Sequence, residues 1–231
     1  MSDAIAERVA DVQGRIEAAA RRAGRDPASV TLVAATKTVD VARVQAVVDA
    51  GVTDLGENRA QELLTKTAVA AAPPLEVPLL EVPLLEVRWH FLGRLQRNKV
   101  KALARWVTCW QSVDRPELGA EIARRAPGAR VLVEVNLAEE PQKGGCPPGA
   151  LADLVERLRA DGLDVAGLMT VPPHDGDPRR FFGLLREHAA ALELRELSMG
   201  MTDDYEIAVE EGATLVRVGR ALFGPRAQIG H

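Results

Sequence analysis

The sequence predicts a single parallel (β/α)8 barrel, with one extra helix ahead of it. Three observations carry this reading. Apolar, β-branched runs alternate with amphipathic segments through eight successive units. The runs are continuous rather than alternating, as strands buried on both faces of a parallel sheet should be. The length, 231 residues, suits one such barrel.

Residues 3 to 23 read as the extra helix. Ile5, Val9, Val12 and Ile16 share one face, and Gly24 ends it. VTLVAAT (30–36) is the first strand, and VARVQAVVDAG (41–51) is a helix closed by Gly51. TDLGE (53–57) is a short second strand, followed by a helix over 58–71. RWHFLG (88–93) is the third strand, with a helix over 96–105. WVTCWQSV (106–113) is the fourth, and Asp114 is placed to cap a helix that reaches Ala126. ARVLVEVNL (129–137) is the fifth and clearest strand, ahead of a helix over 151–162. LDVAGLMTV (163–171) leads to a helix over 178–193. LRELSMG (194–200) leads to a helix over 203–211 that Asp203 and Asp204 are placed to cap. TLVRVG (214–219) is the eighth strand, and a short helix starts near Arg220. An open doubly wound sheet is the competing arrangement of these elements.

One segment stands outside the pattern. LEVPLLEVPLLEV (75–87) repeats the pentapeptide LEVPL, and Pro78 and Pro83 forbid a regular helix or central strand. It reads as an inserted extended loop within one domain spanning 1–231. A tolerated expansion is the simpler account, and a partner-docking segment the alternative.

Composition narrows the function classes. Hydrophobic residues make up 47% of the chain, enough for a sizeable core. The net charge is -4 and no segment concentrates Lys and Arg, so a nucleic-acid surface is not expected. Cys109 and Cys146 lack metal-ligand spacing and suit a reducing cytoplasm. The first 24 residues lack the apolar stretch of a signal peptide, and no run is long enough to span a bilayer. No H-x-x-H or C-x-x-C spacing exists, so a metal site is not expected.

In such a barrel the chemistry sits at the C-terminal ends of the strands. Lys37 ends the first. Partial desolvation there would lower its pKa and free the amine to attack an aldehyde. A snorkelling lysine on the rim is the competing account. Ser198, Gly200 and Thr202 follow the seventh strand and Gly219 the eighth, where barrels often bind phosphate. Ordinary βα turns use the same residue types. Arg217 lies between Val216 and Val218, so alternation turns it to the other face. It would serve a pyridine-type nitrogen, or make an ion pair with Glu57 or Glu134. His90 reads as a base or as a packed histidine after Trp89. His174, His188 and His231 have no pairing.

The motifs LVAATKT (32–38), GENRAQE (56–62), WHFLGRLQRNK (89–99), SVDR (112–115), VEVNLAEEPQKGG (133–145), GLMTVPP (167–173), SMGMTDDYEIAVEEGAT (198–214) and VRVGRALFG (216–224) together resemble the pyridoxal phosphate homeostasis protein family, in that family's order. The resemblance runs from about residue 3 to 226. It implies a barrel like the N-terminal domain of alanine racemase, and pyridoxal 5'-phosphate (PLP) held as a Schiff base on Lys37. It implies a phosphate held by Ser198, Gly200, Thr202 and Gly219, with Arg217 toward the pyridine nitrogen and Asn58 and Met199 close by. Arg220 stands where many members carry a threonine on the phosphate, which leaves its contact open. Arg59 and the LEVPL repeat also depart from the pattern.

Three functions compete. The first is a PLP-binding homeostasis protein without established turnover, a cytoplasmic monomer that supplies apo PLP-dependent enzymes. The second is a PLP-dependent amino-acid racemase or decarboxylase. The third is a barrel enzyme that forms a Schiff base with a phosphorylated substrate. Racemases of this fold draw a catalytic tyrosine from a second domain, whereas the one tyrosine here, Tyr205, sits at a helix start. That difference favours the first reading.

Overall fold

The apolar runs become strands where the sequence places them, trimmed at their ends. The computed structural model describes residues 2–70, 87–173 and 175–224. Its strands are β1 (Thr31–Ala35), β2 (Asp54–Glu57), β3 (Arg88–Phe91), β4 (Val107–Val113), β5 (Arg130–Glu134), β6 (Asp164–Met169), β7 (Glu196–Ser198) and β8 (Leu215–Val218). The α-helices among the described residues are α1 (Ser2–Arg22), α2 (Val41–Asp49), α3 (Ala60–Ala70), α4 (Arg97–Leu103), α5 (Pro116–Arg125), α6 (Leu151–Ala160), α7 (Pro178–Ala191), α8 (Tyr205–Glu210) and α9 (Arg220–Phe223). Every pairing is parallel, and the sheet closes in chain order from β1 to β8. Closure rests on the β1–β8 ladder, where Val33 lies opposite Arg217 and Ala34 opposite Val218. The open doubly wound sheet is therefore excluded.

Alternation sorts each strand into two faces. Val33, Cys109, Leu132, Met169 and Leu215 pack together inside the barrel. Their neighbours Ala34, Trp110, Val131, Val133, Leu168 and Val216 face outward into the layer beneath the helices. The fully buried Trp89, Phe91 and Trp110 are the bulkiest groups of that layer on the β3–β4 side. Helix α1 lies against α2, α8 and α9. Its apolar face, Ile5, Val9, Val12 and Ile16, is buried. Burial stabilises by roughly 1.5–3 kcal/mol per side chain of this size, so α1 is part of the fold rather than an appendage.

Local chemistry shortens several elements. Strand β5 stops at Glu134 rather than 137 because Asn136 closes a loop on itself. Its Nδ2 donates to the Glu140 carbonyl at 2.9 Å, and its Oδ1 accepts the Glu140 N–H at 3.2 Å. Asp40 and Asp177 cap α2 and α7 by accepting the N–H groups of Arg43 and Arg179. The expected caps at Asp114 and Asp203–Asp204 do not form. Pro116 opens α5, so Arg115 takes the cap position, and the Asp114 carboxylate pairs with the Arg115 guanidinium. Asp204 stands at the cap of α8 without a capping bond and accepts the Met201 N–H at 2.6 Å instead. Asp203 pairs with Arg220. The inserted loop expected over 75–87 lies, Val87 apart, outside the described residues, as do His174 and His231.

Candidate functional site

Two adjacent strands, β1 and β8, bring the main candidates together. Along β1 the inward phase runs through Val33 and Ala35, and Lys37 follows two residues later at the mouth. Lys37 is exposed. The turn beneath it is held firmly. The buried Thr36 hydroxyl donates to Glu57 Oε1 at 2.7 Å, and Lys66 Nζ donates to the Thr36 carbonyl at 2.6 Å. Lys66 also pairs with Glu57, and both side chains are buried. The Thr38 N–H donates to Glu62 Oε2 at 2.7 Å. Helix α3 thus reaches over β2 and clamps the end of β1.

On β8, Arg217 is 5% exposed and points inward with Leu215. Its Nη1 donates to Ser198 Oγ at 2.6 Å and its Nη2 to the Thr170 carbonyl at 2.9 Å. Burial pushes the guanidinium down to about 10, against the opposing pull of Glu134 and Asp204, and it stays protonated at neutral pH. The expected ion pair with Glu57 is absent, because Glu57 belongs to Lys66. Glu134 acts on Arg217 through its field rather than through a bond.

The turns after β7 and β8 converge as expected. The Gly219 N–H reaches Thr202 Oγ1 at 3.4 Å. Gly200 has φ +88°, and a Cβ there would stand 2.4 Å from that of Ala208. Only glycine fits this turn. A Cβ on Gly219 would come to 3.3 Å of the Ala35 carbonyl, which places this turn against the end of β1.

Other expected residues land differently. The Ser198 hydroxyl is wholly buried and donates to Gln111 Oε1 at 2.6 Å, so it serves Arg217 and Gln111 within the barrel. The Met199 side chain is buried in the outer layer, leaving only its backbone near the mouth. The guanidinium of Arg220 is taken by Asp203. Asn58 is half-buried across the mouth, its backbone packed so closely on Gly93 that a Cβ there would meet the Asn58 carbonyl at 2.1 Å.

Asn58 also lines a cavity of about 270 Å³ with Leu92, Arg94, Glu134, Asn136 and Lys143. Glu134 is pushed up to about 7 by burial and by Asp114, with Arg217 and Arg94 pulling the other way. Sequence reasoning named Glu134 only as a partner for Arg217. It missed Lys66, hidden in an amphipathic helix, and Gln111, whose inward position two residues after Cys109 was the available signal. The thiols of Cys109 and Cys146 are free, and burial pushes them up to about 12 and about 11. Neither is a ready nucleophile. Among the described residues no group of three or more His, Cys, Asp or Glu side chains could hold a metal, and no helix is long and apolar enough to cross a membrane.

Comparison with known proteins agrees with this fold. The alanine racemase N-terminal domain family matches residues 8–227. The pyridoxal phosphate homeostasis protein of Aquifex aeolicus is 41% identical, over 95% of this chain and 97% of its own. PipY of Synechococcus elongatus, solved with PLP bound, is 31% identical with a TM-score of 0.78, covering 95% of this chain and all of its own. A Bifidobacterium adolescentis structure described as an unknown protein is 38% identical with a TM-score of 0.83, covering 96% and 95%.

Proposed function

The chain belongs to the pyridoxal phosphate homeostasis protein family, and from that premise we propose that it holds PLP at the barrel mouth as a Schiff base on Lys37. One observation carries the reading. An inward-phased lysine and a buried inward arginine end adjacent strands, beside two converging glycine turns. The donor set suits the cofactor. Lys37 offers an amine for its aldehyde. Gly200, Thr202 and Gly219 offer backbone N–H groups and a hydroxyl for its phosphate. Arg217 offers N–H groups for its ring nitrogen. Ser198 holds Arg217 rather than the phosphate, Met199 contributes through its backbone, and Asn58 lies across the mouth just after β2. Arg220 stays with Asp203. When bound, PLP supplies a reactive aldehyde and an electron sink. A permanently charged guanidinium at the ring nitrogen keeps that nitrogen unprotonated and weakens the sink.

The protein's role is then to store PLP and release it to apo PLP-dependent enzymes, without turnover of its own. The relatives' name supports this. So does the place of the one tyrosine: Tyr205 is buried with its ring beneath Arg15 of α1. The two free thiols suit a reducing compartment such as the cytoplasm. One observation favours a racemase or decarboxylase instead. Glu134, at about 7, is poised to exchange protons at the mouth.

The test is spectroscopic. Purified protein given PLP should show a band at ~420 nm, the usual signature of a PLP–lysine Schiff base. Lys37→Ala should abolish it, and borohydride reduction should trap the cofactor on the peptide containing Lys37. A band that survives the substitution refutes the assignment. Turnover of alanine, serine or lysine above ~1 s⁻¹, an ordinary enzyme rate, refutes the storage role and favours the enzyme.

A further inference from the structure

Beneath the mouth, a line of buried side chains crosses the barrel from Arg217 to its far end. Arg217 Nη1 meets Ser198 Oγ at 2.6 Å, and Ser198 Oγ meets Gln111 Oε1 at 2.6 Å. Gln111 Nε2 lies 2.7 Å from His90 Nδ1, and His90 Nε2 lies 2.9 Å from Asp54 Oδ1. Asp54 ends the line against Arg88, whose Nε and Nη2 donate to its two oxygens at 2.8 and 2.5 Å. Ser198, Gln111, His90 and Asp54 are each 5% exposed or less, whereas Arg88 reaches solvent.

The two ends, with the Gln111 amide oriented as it is, set the direction of every bond between them. A guanidinium only donates, so Ser198 must accept from Arg217 and spend its own proton on Gln111. The Gln111 oxygen is thereby turned to Ser198 and its NH₂ to His90. His90 Nδ1 must then accept, which puts the ring proton on Nε2, facing Asp54. An ionised carboxylate only accepts, and the line closes without a clash of donors. Burial works to raise Asp54, but the hydrogen bonds from His90 and Arg88 outweigh it and hold the group down at about 2.

We propose that Gln111 and His90 are positioning residues for Arg217: they hold Ser198 Oγ as its acceptor and so fix the guanidinium that faces the mouth. The inference rests on the PLP reading only for what Arg217 then does. Two of its five N–H groups are occupied by Ser198 and Thr170, which orients the other three. Replacing the Gln111 amide by a carboxylate would invert the logic. In Gln111→Glu an ionised carboxylate would only accept from both sides, so His90 would need a proton on Nδ1 as well.

Two measurements test this. The first uses the cofactor-free full chain with ¹⁵N-labelled histidine, the His90 signals being assigned from the spectrum of His90→Asn. In the wild type His90 should carry its proton on Nε2 alone, and in Gln111→Glu on both nitrogens. A proton on Nδ1 in the wild type overturns the proposed order. The second uses Gln111→Met, similar in length without either hydrogen bond, in protein whose thermal melt shows it folded. PLP affinity should fall about tenfold, the effect of about one lost buried hydrogen bond. The visible band should shift while borohydride still traps Lys37. Wild-type affinity with an unshifted band overturns the positioning role. If the wild type takes up no PLP at all, the proposed function fails, and the ring-proton result still decides the order of the chain.

Discussion

Lys37 and Arg217 end neighbouring strands, yet they are held in opposite ways. Lys37 is exposed, and the protein grips the turn beneath it through the buried Lys66–Glu57 pair and the Thr36 hydroxyl. Arg217 is itself buried and is gripped directly, by a neutral hydroxyl and a backbone carbonyl. Under the proposed function the difference separates two tasks. A group that forms and breaks a bond needs an accessible head on a fixed base. A group that recognises a ring nitrogen needs a fixed head. Charge is spent on the base in the first case and kept for the ligand in the second.

Breaking the base should have the largest effect. Glu57→Gln leaves Lys66 buried without its anion and should destabilise the fold by about 3–5 kcal/mol, read as a fall in the denaturation midpoint. Adding Lys66→Met should recover most of that loss. A double variant as unstable as the single one would mean that the pair itself, not the orphaned charge, carries the energy.

A smaller effect is expected beside Arg217. Glu134 is raised to about 7, above the roughly 4.3 of an unfolded glutamate. Between those values the folded state binds more protons than the unfolded one, so this group's contribution falls as pH rises from about 4.3 to 7. Glu134→Gln should therefore stabilise the protein at pH 8 by up to about 4 kcal/mol and change little at pH 4. Melting curves at the two pH values decide it, and an equal effect at both would place the burden elsewhere.

The smallest effect serves as a control for the first. Arg22 pairs with Glu206 and Glu210 across α1 and α8, but its side chain is 51% exposed. Arg22→Ala should leave the denaturation midpoint nearly unchanged. A loss as large as that of Glu57→Gln would show that pairing, rather than burial, sets the scale.

The barrel was legible because parallel strands must be apolar on both faces, which leaves long runs such as 30–36 and 129–137. Lys37 was legible because it ends the first apolar run, and Arg217 because period-two alternation turns it to the other face from Val216 and Val218. Ser198 shows where that reading stopped short. A serine beside a glycine turn looks like a phosphate ligand, but the same alternation that turned Arg217 inward turned Ser198 inward with it. Gln111 and Asp54 were missed for a related reason. A polar residue at an inward strand position is read as an exception until its partners on other strands are known. Lys66 was hidden because one lysine on a helix looks like solvated surface, and only the approach of α3 to the end of β1 buries it. The cap expected at Asp114 failed on a detail of chain geometry, since Pro116 moved the helix start one residue along.

The β1–β8 ladder has one more consequence. Val33 and Arg217 face each other across 184 residues of chain (217 minus 33), so this seam is among the most non-local contacts in the molecule. Contacts of that kind carry a high closure entropy and form late. Half of the site is carried by the first barrel strand to leave the ribosome and half by the last. The mouth therefore exists only in a chain whose ring has shut. Any ligand that touches both lips acts as a latch, strengthening the closed ring by RT ln(1 + [L]/Kd) and leaving the open chain unaided.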